Sequence, residues 1–189
     1  MKELLKKVTE GQNLTREEAA KAMDMMLEGT ASPVLVSAFL TALRMKGETV
    51  DEIVGCTEMM KSKGGSVKLD TDEYIDFVGT GGDGANSFNI STTSMFVCAA
   101  AGVTVAKHGN RAASSKSGAS DLLEALGANI MLEPKQVEQC INETGMGFMN
   151  AMKFHKAMKN VGPIRKQIGI RTIFNMLGPL SNPSNASRQ

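Results

Sequence analysis

At 189 residues the chain can bury a core as one domain or as two small ones, and its formal net charge of +1 excludes bulk electrostatic attraction to nucleic acid or a membrane surface. Cys56, Cys98 and Cys140 lie far apart with no Cys-x-x-Cys spacing, which excludes a disulfide framework and a zinc site and fits a reducing cytosol. No apolar run approaches the ~20 residues of a membrane span. The charged amphipathic start, Met1-Lys2-Glu3-Leu4-Leu5-Lys6-Lys7, lacks a signal-peptide core, so a cytoplasmic location is expected.

Residues 1 to about 65 spell helices separated by clear stops. Leu4, Leu5 and Val8 form a short apolar stripe that ends at Gly11. Thr15-Arg16-Glu17-Glu18 is a capping box, and the helix it starts carries Ala19, Ala22, Met23, Met26 and Leu27 before Gly29. Ser32-Pro33 opens a second helix that Gly47 closes. Thr49-Val50-Asp51-Glu52 is another capping box, and its helix ends at Gly64-Gly65. The region holds no histidine and no catalytic-looking cluster, and so reads as a small helical bundle serving as scaffold. A bundle this small needs a neighbour or a second copy to bury enough surface. The 14 methionines suit adaptable packing and carry no chemistry of their own.

At Tyr74 the pattern changes. Ile75-Asp76-Phe77-Val78 predicts a strand running into Gly79, and residues 90–101 predict a buried apolar helix. Val103-Thr104-Val105-Ala106 predicts a second strand, followed by a helix over residues 119–126 stopped by Gly127. Asn129-Ile130-Met131-Leu132 predicts a third strand, Pro134 opens a helix that ends at Gly145, and Met146-Gly147-Phe148-Met149 predicts a fourth. Strand–helix alternation at this spacing means right-handed crossovers and a parallel sheet. From about Phe154 the sequence turns helical and basic.

Charge is unevenly distributed. Residues 1–83 hold 15 acids and 10 bases, whereas residues 84–189 hold 5 acids and 11 bases. A solvated basic face and an anion-holding cleft both fit this asymmetry. The acid-free zones coincide with loops rich in Gly, Ser and Thr, which favours the cleft. In Gly79-Thr80-Gly81-Gly82-Asp83-Gly84, glycine lets the backbone approach a ligand closely, and the strand–loop–helix context suits a phosphate nest. The loop is neither a Walker A sequence nor G-x-G-x-x-G. A carboxylate repels bare phosphate, so Asp83 is expected to face a metal ion, a sugar hydroxyl or an amine. Asn89-Ile90-Ser91-Thr92 opens the next helix, where these side chains can cap it or complete an anion site, and Ser91 or Thr92 can reach a phosphate-bound Mg²⁺. In residues 107–118, Lys107, Arg111 and Lys116 supply charge, while Asn110, Ser114, Ser115 and Ser117 supply hydrogen bonds. Gly109 and Gly118 supply backbone freedom, and the whole suits a polyanion. His108 fits either proton transfer or a hydrogen-bonded structural role. Arg165, just after Gly162-Pro163, fits a bidentate carboxylate fork, whereas Lys159, Lys166 and Arg171 read as a solvated face.

Taken together, Gly79-Thr80-Gly81-Gly82-Asp83, Asn89-Ile90-Ser91-Thr92, Lys107-His108-Gly109-Asn110-Arg111 with Ser114-Ser115, Leu123-Glu124-Ala125-Leu126-Gly127 and Gly169-Ile170-Arg171-Thr172-Ile173-Phe174-Asn175 closely resemble anthranilate phosphoribosyltransferase. The resemblance runs the whole length of the chain. It implies an α/β fold of the nucleoside phosphorylase/phosphoribosyltransferase type, with a small amino-terminal helical domain and a larger, mostly parallel α/β domain. The expected division is residues 1–70, with helices of 155–180 packing on them, against residues 71–154 and 181–189. It implies transfer of a 5-phosphoribosyl group from phosphoribosyl pyrophosphate to the amine of anthranilate, in tryptophan biosynthesis, with Mg²⁺ and a homodimer formed through the helical domain. Carried over residue by residue, phosphoribosyl pyrophosphate would be held by Gly79, Gly82, Asp83, Ser87, Asn89, Ile90, Ser91, Thr92, Lys107, Asn110, Arg111, Ser114, Ser115 and Ala119. Anthranilate would meet Gly79, His108, Asn110, His155 and Arg165, and Ser91 would touch Mg²⁺. The sequence departs from the family at Ser117-Gly118-Ala119-Ser120-Asp121, where a hydroxyl is displaced by one position, and at Ala151-Met152-Lys153-Phe154-His155. Family members run well past Gln189 and carry a metal-binding Asp-Glu pair there, so the chain reads as truncated at its carboxyl end. Two alternatives stand beside this reading: a pyrimidine nucleoside phosphorylase-like enzyme, and a non-catalytic nucleic-acid-binding relative motivated by the basic second half.

Overall fold

Local capping starts the helices of the amino-terminal part. In α2 (Arg16–Leu27), α3 (Pro33–Lys46) and α4 (Val50–Ser62), the starts coincide with the sequence signals, whereas α1 (Lys2–Thr9) has no side-chain cap. Thr15 Oγ1 accepts from Glu18 N–H at 3.2 Å while Glu18 Oε2 accepts from Thr15 N–H at 3.1 Å, which closes the first capping box. Thr49 and Glu52 repeat it at 3.4 and 2.8 Å. Gly47 ends α3 at φ +87°, a conformation that favours glycine. The computed structural model describes residues 1–80, 88–111 and 117–189. These fall into two units, residues 1–64 with 156–181 and residues 65–155 with 182–189.

The first unit is helical. Met23, Met26, Phe39, Leu40 and Leu43 share its core with Val161, Ile164, Ile173 and Leu177, which come from α9 (Gly162–Ile168), α10 (Phe174–Leu180) and the residues before them. Two close contacts fix it. At Gly55 of α4, a Cβ atom would lie 2.1 Å from the Arg16 carbonyl oxygen, so α2 and α4 approach at a distance only glycine permits. The fully buried Glu52 carboxylate accepts from Leu14 N–H at 2.9 Å, Thr49 N–H at 2.8 Å and Lys46 Nζ at 3.0 Å, tying three segments together. Burial pushes the Glu52 carboxyl up, but these donors outweigh it and hold it below the ordinary glutamate range.

The second unit is built on a parallel sheet. Among the described residues its strands are β1 (Tyr74–Ile75), β2 (Thr104–Gly109) and β3 (Met146–Asn150), in the order β1-β2-β3. The connections carry α5 (Ile90–Ala100), α6 (Ala119–Ala125) and α7 (Pro134–Thr144), and α8 (Ala151–Phe154) follows β3 directly. Val137 and Ile141 of α7 pack on Ala106, Met149 and Phe154. Gly65 N–H donates to Phe154 O at 2.8 Å, so the two ends of residues 65–155 meet.

Three sequence expectations are corrected. Residues 129–132 form a turn rather than a strand: Asn129 Oδ1 accepts from Met131 N–H at 3.0 Å, an Asx-type turn that competes with extended pairing. The first strand is shorter than expected: its pairing with β2 ends at Ile75, which also bridges in parallel to Arg188 with Asp76 N–H donating to Arg188 O at 3.0 Å, and beyond it the Phe77 carbonyl accepts from the Lys107 side chain instead of a strand partner. Finally, α5 is not buried all round. Thr92 and Met95 face inward, whereas Ile90 and Val97 stand exposed.

Two stability outcomes are expected. Gly55→Ala should lose about 3 kcal/mol or more by forcing α2 from α4, measured by denaturant unfolding; an unchanged midpoint would refute the close-crossing account. Glu52→Gln leaves Lys46, whose side chain is only 6% exposed, without its counter-charge, and is expected to cost about 3–5 kcal/mol. Because Glu52 is held below the ordinary glutamate range, its contribution is present above that range and is lost as pH falls through and below it. Unfolding curves from about pH 3 to 6 should therefore converge for parent and variant at the acid end.

Candidate active site

β1 and β2 are adjacent and parallel, so the loops that leave them emerge from the same edge of the sheet, where open α/β sheets hold ligands. Asn89 supplies the link between them. It sits at the N-cap of α5, but its side chain does not cap the helix. Instead Asn89 Nδ2 donates to Ser117 Oγ at 3.1 Å, joining the end of the first loop to the end of the second. Gly79 is exposed, with nothing within 4 Å of where a Cβ would be. Ser91 is half-buried and Thr92 buried in the first turn of α5, and Ile90 is 52% exposed. Gly82, Asp83, Ser87, Ser114 and Ser115 lie outside the described residues.

The second loop begins as an extension of β2. Lys107 and His108 are both buried, at 3% exposure each. Lys107 Nζ donates to the Phe77 carbonyl just beyond β1, and His108 N–H donates to Asp76 Oδ1 at 3.0 Å. The His108 ring stands edge-on to that of His155, centroids 5.2 Å apart at 66°. The two histidines of the chain thus form one buried pair. Burial pushes the Lys107 ammonium down from its ordinary value, and the Asp76 charge opposes this. Burial likewise pushes Asp76 up, while the Asn182 amide, the His108 N–H and the Lys107 charge pull it back.

Beyond His108 the loop is fixed by hydrogen bonds. Gly109 is a paired residue of β2, and its glycine is explained by space: a Cβ would meet the Phe148 ring at 2.8 Å. Gly118 is extended at φ −99°, ψ −176°, which any residue adopts, so neither glycine supplies the freedom expected from the sequence. Asn110 Oδ1 accepts from Arg111 N–H at 2.8 Å, and its carbonyl accepts from Ser120 N–H at 3.2 Å. Arg111 is held by the first acids after the loop, with Nη1 3.0 Å from Asp121 Oδ1 and Nη2 2.8 Å from Glu124 Oε1. Its guanidinium charge is therefore shared with two carboxylates of α6. Ala119 begins α6 half-buried, and the displaced hydroxyl of Ser120 points inward, fully buried and without a hydrogen-bond partner among the described residues.

Arg165 belongs to the helical unit. It is half-buried on α9, its guanidinium lies 5.0 Å above the Phe174 ring, and no carboxylate pairs with it among the described residues. Burial alone lowers it from its ordinary value, and a carboxylate ligand would relieve that cost.

Asp76 and Asn182 were missed by sequence reasoning. Asn182 Nδ2 donates to Ala106 O at 3.0 Å beside the Asp76 carboxylate. The one available signal was a lone acid inside the otherwise apolar run before Gly79. No helix among the described residues is long and apolar enough to cross a membrane.

The comparisons agree in direction. Over its full length the chain is 55% identical to an anthranilate phosphoribosyltransferase of Acetivibrio thermocellus and 56% identical to one of Nitrobacter hamburgensis, and it covers 55% and 56% of those proteins. The chain thus spans about half the length of the curated relatives it matches. Among solved structures, anthranilate phosphoribosyltransferase from Thermus thermophilus superposes with a TM-score of 0.90 at 45% identity, over 97% of this chain and 56% of that one. The Saccharomyces cerevisiae enzyme in complex with PRPP and Mg gives 0.82 at 33% identity, over 90% and 51%. The family models for the glycosyl transferase family match as its helical bundle domain over residues 2–64 and its a/b domain over residues 71–189. The chain therefore belongs to the glycosyl transferase family, with that family's helical bundle and a/b domains in sequence.

Proposed function

We propose that this chain supplies the phosphoribosyl pyrophosphate-binding part of an anthranilate phosphoribosyltransferase. The observation that carries the reading is the Asn89–Ser117 bond, which joins two donor-rich loops at the edge of a parallel sheet. Relatives of that name match along the whole chain, which favours this reading over the nucleoside phosphorylase and nucleic-acid-binding alternatives.

In this reading the C1–oxygen bond of phosphoribosyl pyrophosphate breaks and its electron pair leaves with diphosphate. The anthranilate nitrogen bonds to C1 and its proton passes to solvent. An aromatic amine is a weak base that needs little deprotonation before attack, so positioning and charge stabilisation carry the step. The loop from Gly79 to Asp83, with Ser87 and residues 89–92, takes the diphosphate. Lys107, Arg111, Ser114, Ser115 and the start of α6 at Ala119 take the phosphoribosyl group. Asn110 faces the acceptor, His108 and His155 border its path, and Arg165 grips its carboxylate.

Mg²⁺ suits this donor set. Ser91, half-buried in the first turn of α5, offers it a hard oxygen. When bound, the ion would offset the charge of the leaving diphosphate. We place the enzyme in the cytoplasm.

The intact protein with Mg²⁺ is expected to consume anthranilate and phosphoribosyl pyrophosphate and to form phosphoribosylanthranilate, monitored by loss of anthranilate fluorescence. Arg165→Ala should raise KM for anthranilate about tenfold or more while KM for phosphoribosyl pyrophosphate changes little. No product from the parent sinks the assignment, and equal loss for both substrates sinks the carboxylate fork. A homodimer through the helical unit is supported by the exposed Val34, Met45 and Val50 of α3 and α4. Sedimentation should return a dimer that Val34→Glu with Met45→Glu dissociates; a monomeric parent refutes it.

A further inference from the structure

Asp76 is fully buried at the point where the chain leaves β1, three residues before Gly79. Burying a carboxylate is costly unless donors and opposite charge surround it. Its surroundings come from two separated segments, the end of β2 and the stretch around Asn182. His108 N–H, at the end of β2, donates to Oδ1 at 3.0 Å. Lys107 bears the opposing charge and anchors its ammonium on the neighbouring Phe77 carbonyl. Asn182 stands beside the carboxylate while donating to Ala106 O, although Oδ2 itself lacks a hydrogen bond of good geometry. The Asp76 backbone N–H is used separately, by Arg188 O.

These contacts bear on function because each strand end leads into a loop of the site. The chain from β1 runs into the Gly79 loop, and the chain from β2 runs into the Asn110 loop. Neither Lys107 nor Asp76 is open to solvent, so their attraction is little screened, and breaking it leaves a buried charge uncompensated. A purely structural strand end would be served by apolar side chains at both positions at lower cost.

We propose that Asp76 is a positioning residue that holds the ends of β1 and β2 together through the His108 N–H, opposite the Lys107 charge, so that Gly79 and Asn110, where the chain leaves the two strand ends, are set relative to one another before ligand arrives. The proposal rests on the phosphoribosyl pyrophosphate reading for its ligand, but its geometry can be tested without that reading. The isosteric Asp76→Asn keeps an acceptor and removes the charge, and Asp76→Glu keeps the charge and displaces it.

The chain has two histidines, so selective ¹⁵N-histidine labelling yields two backbone amide signals, His108 and His155. His155 N–H, bonded to Ala151 O at 2.9 Å, is the internal reference. In Asp76→Asn the His108 amide should shift upfield and exchange with solvent about tenfold faster while His155 holds still. Affinity for phosphoribosyl pyrophosphate with Mg²⁺, by calorimetry at equal folded fraction, should fall about tenfold, and Asp76→Glu should recover part of it. An unmoved His108 amide overturns the proposal, and so does a shifted amide with parental affinity. If the parent chain binds no phosphoribosyl pyrophosphate, the functional reading fails on its own, and the amide signal still decides whether Asp76 sets the strand ends.

Discussion

One buried carboxylate sits where the two strands of the site end. Asp76 takes the His108 N–H and faces the Lys107 charge, and the loops on either side leave from this point. The sheet sets β1 and β2 parallel, but a ladder that stops at Ile75 cannot by itself hold the next residues. Polar contacts continue it: Lys107 donates to the Phe77 carbonyl, Asn182 donates to Ala106 O, and Asp76 N–H donates to Arg188 O beside the parallel Ile75–Arg188 bridge. The site is therefore held on charge and hydrogen bonds in a region closed to water, where such contacts are strongest and least forgiving.

The helical unit solves a similar problem by similar means. Glu52 closes a capping box, receives Leu14 N–H from the loop before α2 and is neutralised by Lys46 from the end of α3. In both units a single acid joins pieces that backbone ladders do not reach. The difference is in what surrounds it. Glu52 is satisfied by three donors, whereas one oxygen of Asp76 is left to electrostatics.

Much of the fold was legible because its signals are local. The boxes at Thr15–Glu18 and Thr49–Glu52, the prolines at 33 and 134 and the glycines at 47 and 145 mark helix ends through short-range chemistry. The errors arose where short apolar runs had to be assigned. Ile130 is buried, so the apolar pattern of residues 129–132 was real, but the Asn129 side chain turned the backbone. The two loops of the site were legible as donor-rich, and the second as acid-free. That Arg111 shares its charge with Asp121 and Glu124, or that Gly109 makes room for Phe148, was not legible, because those partners lie ten or more residues away. Asp76 was hidden for the opposite reason: a lone acid in an apolar strand gives no sign of the distant residues that will surround it.

The bond between Gly65 N–H and Phe154 O has a bearing on how the chain acquires its shape. The helical unit is interrupted: Val161, Ile164, Ile173 and Leu177 reach its core only after residues 65–155 have been traversed. Closing so long a flexible segment would cost about 4 kcal/mol of chain entropy. Once the α/β unit has folded, its two ends are already hydrogen-bonded neighbours and that cost has been met. A sheet that formed first would thus bring the returning helices back to α1–α4 without a separate closure cost.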